Sequence, residues 1–198
     1  YWLVEASYKV FGINETAARV PSAVFGLIGV IAMYFLGSLL FGRKAGFLSA
    51  LILATNVEYV ILSRACITDM VLTVLMLLGV LFFFCGYLKE KRYFYILSSA
   101  AFALAVLTKG PIAIILPAAA FLIFLFLVKD LGRLKKIPLG WCLLVFILIA
   151  GPWYLAAYKI HGKEFIDAFF GFHNVTRFMQ SEHKIGSQFY YNIPVIMA

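Results

Sequence analysis

Charge is what this sequence has least of. Only 13% of its 198 residues are charged and 64% are hydrophobic, whereas about a quarter of a soluble globular domain is charged. No soluble core could hide that apolar surplus. Cysteine is scarce as well. Cys66, Cys85 and Cys142 lie far apart and form no CxxC pair, which argues against a disulfide or metal framework; Cys is common as a small buried residue, and these three say little more. GxGxxG, P-loop, HExxH and GxSxG signatures are missing from any usable context, so soluble nucleotide chemistry has no seat. No Ser/Gly-rich linker, charge block or repeat divides the chain, and it reads as one membrane domain over 1–198. It opens on Tyr1-Trp2 rather than Met and stops at Ala198 where an apolar run has just begun. Both ends look cut, and the expectation is an internal piece of a longer protein.

What the sequence does have is long apolar runs. A hydrocarbon core of roughly 30 Å takes about 20 apolar residues in a helix, and about 17 at the short end. Six runs qualify: Val20 to Phe41, Ala45 to Leu62, Met70 to Leu88, Tyr93 to Leu107, Ile112 to Val128 and Leu139 to Tyr158. The expected fold is all-α, a polytopic transmembrane bundle of about six spans with the start of another at 193–198. Pro21 falls near the start of the first span, where its missing N–H costs nothing.

Lys and Arg in short loops mark the cytoplasmic side. Here they fall at every second connection: Arg43-Lys44, then Lys89/Lys91/Arg92, then Lys129/Arg133/Lys135/Lys136. These loops hold nine of the 17 basic residues against two acids, Glu90 and Asp130, so the overall +8 reports topology and not a nucleic-acid partner. The connections at 1–19, 63–69, 108–111 and 159–192 therefore face outward. The first has apolar Trp2, Leu3, Tyr8 and Phe11 with Glu5 and Lys9 one turn apart, as in a helix lying at the interface. The last is too long for an idle loop.

Ionisable groups at membrane depth are expensive, so each one asks for a job or a partner. Glu58 either reaches the outer interface or lines a polar cavity. Arg64 and Asp69 bracket one tight outer turn, as a salt bridge with a helix N-cap from Thr68 or Asp69, or with Arg64 facing an anionic ligand. Lys109 is either a snorkelling lysine or a phosphate contact. Glu15 and Arg19, spaced i, i+4, read as helix support. His173 and Arg177 are one turn apart in a helix. They suit a metal or proton-transfer role beside a phosphate clamp, or are surface residues among interfacial aromatics. Asn14-Glu15-Thr16 and Asn174-Val175-Thr176 match the N-glycosylation pattern, a match frequent by chance.

An ordered set of short motifs then becomes familiar. It runs from Tyr1-Trp2 through Phe11-Gly12-Ile13-Asn14-Glu15-Thr16-Ala17-Ala18-Arg19-Val20-Pro21-Ser22 to Leu40-Phe41-Gly42-Arg43-Lys44-Ala45-Gly46. It continues with Arg64-Ala65, Thr68-Asp69-Met70, Lys109-Gly110-Pro111, Pro152-Trp153-Tyr154, Phe170-Gly171, His173-Asn174 and Arg177-Phe178. Along nearly the whole chain, this set resembles the GT-C class of polyprenyl-phosphate-dependent glycosyltransferases. Its closest type is the 4-amino-4-deoxy-L-arabinose transferase and dolichyl-phosphate-mannose protein mannosyltransferase-like group. The resemblance implies a transferase that takes a sugar from a polyprenyl-phosphate donor, at the outer face of the cytoplasmic (inner) membrane, to lipid A, another glycolipid or a protein. An outward-facing site needs such a donor, already carried in the membrane. Arg64, Lys109, His173 and Arg177 become the substrate-binding candidates, with His173 also a candidate ligand for a divalent cation.

One departure matters. The family's essential acidic residue lies upstream of a Lys-Pro-Pro motif that directly precedes the Tyr-Trp matched by Tyr1-Trp2. The catalytic acid is therefore expected upstream of this chain, which alone should be inactive. Asp69 is not that residue. A polytopic transporter is the alternative, but transporters often show two matching halves and no such repeat is visible.

Overall fold

The computed structural model describes residues 1–166, with side chains as far as residue 162. Over that range the chain is helical: α1 Trp2–Phe11, α2 Glu15–Phe41, α3 Arg43–Thr55, α4 Val57–Arg64, α5 Thr68–Lys89, α6 Arg92–Lys109, α7 Ile112–Leu127, a 3-10 turn Leu131–Lys136 and α8 Leu139–Ile166. The all-α bundle is as expected. Three helices are long and apolar enough to cross a membrane by themselves, α2, α5 and the Leu139–Gly162 part of α8. The expected span Ala45 to Leu62 is instead two helices, α3 and α4, bent by 62°, and they make a fourth crossing if taken together. Asn56 is the break: its side chain accepts from the Tyr59 N–H at 2.9 Å and starts a new helix. α6, at about 27 Å, and α7, at about 24 Å, are shorter than a hydrocarbon core of roughly 30 Å.

The packing turns a soluble protein's arrangement around. In α2 the buried residues are small, Ala17, Ser22, Gly26, Gly29, Ala32 and Gly37, while Leu27, Ile31 and Phe35 are exposed. Large side chains facing outward suit lipid, and small ones inward let backbones approach. At the α2–α3 crossing a Cβ on Gly46 would stand 2.5 Å from the Tyr34 carbonyl. α5 is the centre of the bundle, with Met70 and Val74 fully buried. It pairs antiparallel with α6, where the Phe102 ring fills the space that a side chain on Gly79 would need, and Ser98 donates to the Gly79 carbonyl at 2.7 Å. α7 runs back beside α5, with Phe121 stacked on Phe83 at 3.8 Å. α8 packs on α6 through Ser99, which donates to the Cys142 carbonyl at 2.6 Å.

Pro21 differs from expectation. α2 starts at Glu15, capped by Asn14, whose side chain accepts from the Ala17 N–H at 2.7 Å. Pro21 therefore lies inside the helix and removes the N–H that the Ala17 carbonyl would receive four residues earlier. The Ser7 hydroxyl supplies the missing donor at 2.6 Å. The proline's cost thus becomes the bond that docks α1 onto α2.

At the basic end a clasp joins two connections. Glu90 ends α5 in the left-handed conformation, φ 55°. Arg133 pairs with both Glu90 and Asp130 and lies 4.7 Å from the Tyr87 ring centre, and the Tyr87 hydroxyl donates to Asp130 at 3.0 Å. The hydrogen bond from Arg133, and then the Lys136 charge, hold the Glu90 carboxyl below the usual carboxylate range.

Candidate functional site

The end of the bundle opposite the basic loops gathers the polar residues singled out in the sequence. α4 ends at Arg64, the chain turns through Ala65-Cys66-Ile67, and α5 starts at Thr68. Two features hold this turn against α2. Ser22 Oγ lies 3.5 Å from the Ile67 carbonyl, and a Cβ on Gly26 would meet Ser63 Cβ at 2.9 Å. Below it, the Tyr59 hydroxyl donates to the Gly26 carbonyl at 2.8 Å.

Asp69 does not pair with Arg64, and neither Thr68 nor Asp69 caps α5, whose N-cap is Ile67 with no side-chain bond. The Asp69 carboxylate instead pairs with the Lys109 ammonium at the end of α6. The α5–α6 hairpin explains this. Asp69 and Lys109 are equally far from its turn to within about one helical turn, and a lysine stem covers the rest. That register was readable from the two helix lengths, but Arg64, five residues from Asp69, competed for the same partner.

Lys109 is thus a tethered cation. An ammonium has three donors; Asp69 engages it, and with the side chain 53% exposed donors remain for a further anion. Thr108 donates back to the Ala105 carbonyl at 2.6 Å, so its hydroxyl belongs to the helix end. Arg64 is exposed and has no ion-pair partner among the described residues. Its charge is therefore uncompensated there, while Asp69 offsets that of Lys109. Glu58 is also exposed, in the first turn of α4 beyond the bend. Glu15 and Arg19 pair along α2 as expected. The structure brings Arg64, Asp69 and Lys109 to one rim. His173 and Arg177 lie outside the described residues. Among the described residues no group of three His, Cys, Asp or Glu side chains is placed to hold a metal ion.

The sequence pattern of the dolichyl-phosphate-mannose-protein mannosyltransferase family matches residues 1–155. The chain belongs to that family. Among relatives of this mannosyltransferase-family chain is an uncharacterized protein of Aquifex aeolicus, 32% identical over 170 residues, which cover 85% of this chain and 34% of that protein. An undecaprenyl phosphate-alpha-4-amino-4-deoxy-L-arabinose arabinosyl transferase of Aeromonas hydrophila is 25% identical, covering 98% of the chain and 36% of the relative. Among solved structures, ArnT from Cupriavidus metallidurans bound to undecaprenyl phosphate superposes with a TM-score of 0.89 at 23% identity, over 99% of this chain and 36% of that one. Its apo form gives 0.85. The chain spans about a third of the length of these relatives, and at this identity the structural likeness shows the shared membrane fold.

Proposed function

We propose that this chain is part of a membrane glycosyltransferase that moves a sugar from a polyprenyl-phosphate carrier to an envelope acceptor. The acceptor is lipid A, another glycolipid or a protein, at the outer face of the cytoplasmic membrane. Family membership over residues 1–155 carries the reading. The cationic rim opposite the basic loops supports it, because lipid-linked donors present their phosphate at a membrane face. In the reaction an acceptor oxygen forms a bond to the anomeric carbon while the bond from that carbon to the phosphate oxygen breaks. The electron pair leaves with the lipid phosphate, and the acceptor's proton passes to a base. Cations fixed in a water-poor site stabilise that developing charge. Arg64 carries the uncompensated charge of the rim among the described residues, and Lys109 is tethered by Asp69; both are assigned to the phosphate. Arg177 is a third phosphate contact, and His173 a further substrate contact and candidate ligand for a divalent cation.

The test is sugar release from radiolabelled polyprenyl-phosphate sugars by membranes containing the full-length protein. Arg64→Ala, Lys109→Ala and Arg177→Ala should each lower transfer about a hundredfold or more while insertion is unchanged. Unaltered transfer in all three would reject the phosphate-contact assignment. Solute flux in vesicles without any sugar release would favour transport instead.

A further inference from the structure

α4 carries Arg64 to the rim but has little of its own to hold it in place. With eight residues, Val57–Arg64, it is too short to be stable by itself. The 62° bend at Asn56 separates it from α3, and the extended residues Ala65 and Ile67 separate it from α5. Neither end therefore fixes how the helix is turned about its axis, and its side contacts with α2 must do so. Of these, Ser22 Oγ stands 3.5 Å from the Ile67 carbonyl, beyond an ordinary hydroxyl hydrogen bond, and Ser63 meets Gly26 by packing alone. The bond from the Tyr59 hydroxyl to the Gly26 carbonyl, at 2.8 Å, is the strong one.

Tyr59 is 8% exposed, and its ring packs with Met70 and Val74 of α5, both fully buried. Gly29 makes room for the hydroxyl: a Cβ there would run into Tyr59 Oη and stand 2.8 Å from Val74. A polar group inside a membrane bundle has no bulk water to turn to, so the hydroxyl keeps to the carbonyl it reaches. Tyr59 and Ser63, four residues apart, lie on one face of α4, and both meet α2 at Gly26. That pair of contacts sets the rotation of the helix. Arg64 follows five residues after Tyr59, about 140° further round and about 7.5 Å along the axis. With Tyr59 turned to α2, Arg64 is turned away from it and left exposed. We infer that Tyr59 is the positioning residue of Arg64, its hydroxyl deciding where that guanidinium meets the phosphate of a polyprenyl-phosphate ligand; this rests on the reading of Arg64 as a phosphate contact.

The test is binding of undecaprenyl phosphate, and of uncharged undecaprenol as control, to the full-length protein purified in detergent, measured by native mass spectrometry. Tyr59→Phe removes the hydroxyl and keeps the ring against Met70 and Val74, so α5 stays packed. It should weaken undecaprenyl phosphate binding about tenfold and leave undecaprenol binding unchanged. A general loosening of the bundle would weaken both. In the Arg64→Ala protein, Tyr59→Phe should cause no further loss, whereas in the Lys109→Ala protein it should cause the same tenfold loss. Three results would each overturn the inference: equal weakening of the phosphate and the alcohol, a full further loss in the Arg64→Ala protein, or parental binding by Tyr59→Phe where Arg64→Ala binds weakly. Arg64→Ala binding undecaprenyl phosphate as the parent does would reject the reading of Arg64 itself, and the role of Tyr59 with it.

Discussion

A single hydroxyl decides how the first helix is held. Pro21 leaves the Ala17 carbonyl without its helical donor, and Ser7 supplies one from α1 at 2.6 Å in a site where both residues are buried. Ser7→Ala would strand that carbonyl at a cost of about 1–3 kcal/mol. The expected result is faster backbone hydrogen exchange across α1 and a lower melting temperature in detergent, with Ser7→Thr close to wild type. Pro21→Ala restores the helical N–H, so adding Ser7→Ala to it should cost much less; an additive double variant would show that the hydroxyl acts elsewhere. The clasp at Glu90 gives a pH dependence. Its carboxyl titrates below the ordinary range because Arg133 and then Lys136 favour the charged form. Its contribution is complete above the usual carboxylate pKa and is lost as the pH falls through the depressed one. Proteolysis of the loop at 129–136 should accelerate only at acid pH, and Glu90→Gln should show the faster rate at neutral pH.

Between elements, the α5–α6 hairpin depends on a ring set against a glycine. The Phe102 ring lies where a Cβ on Gly79 would stand, 2.6 Å away, and a ring edge has little room to yield inside a buried pair. Gly79→Val should destabilise by about 1–3 kcal/mol and should also part Asp69 from Lys109 at the hairpin's open end. Loss of a cross-link between cysteines placed at 69 and 109, with retained membrane insertion, is the readout. A cross-link as efficient as in the parent would mean that the register is set elsewhere. The bend at Asn56 is the other element-scale feature. An apolar run of 18 residues from Ala45 to Leu62 promised one span, and a short polar side chain that prefers to cap a new helix divided it.

For the whole molecule, the alternation of basic connections predicts which end of the bundle meets which side. Cys66, exposed in the turn beside Arg64, belongs to the non-basic end. Cys85 is buried and Cys142 half-buried near the basic end. A membrane-impermeant maleimide applied from the outside to intact cells should label Cys66 alone. Labelling that requires opened cells would reverse the topology and remove the rim from the outer face.

The sequence by itself determined the class of this protein and set the expectation for its membrane sidedness. Apolar runs and scarce charge leave a chain no solvent but lipid, and the spacing of Lys and Arg needs no partner to be read. The i, i+4 pair of Glu15 and Arg19 was legible for the same reason, since one helix contains both ends of it. Arg64 and Lys109 were legible as candidates because a lone cation in an apolar chain is conspicuous. Only the tertiary structure decided their standing. It paired Asp69 with Lys109 instead of Arg64, placed Ser7 on the carbonyl freed by Pro21, and knotted Glu90 to Arg133. Each of these joins residues on different helices, and which helix faces which is settled by small buried residues such as Gly46 and Gly79, whose contribution is the close approach that their lack of a side chain permits.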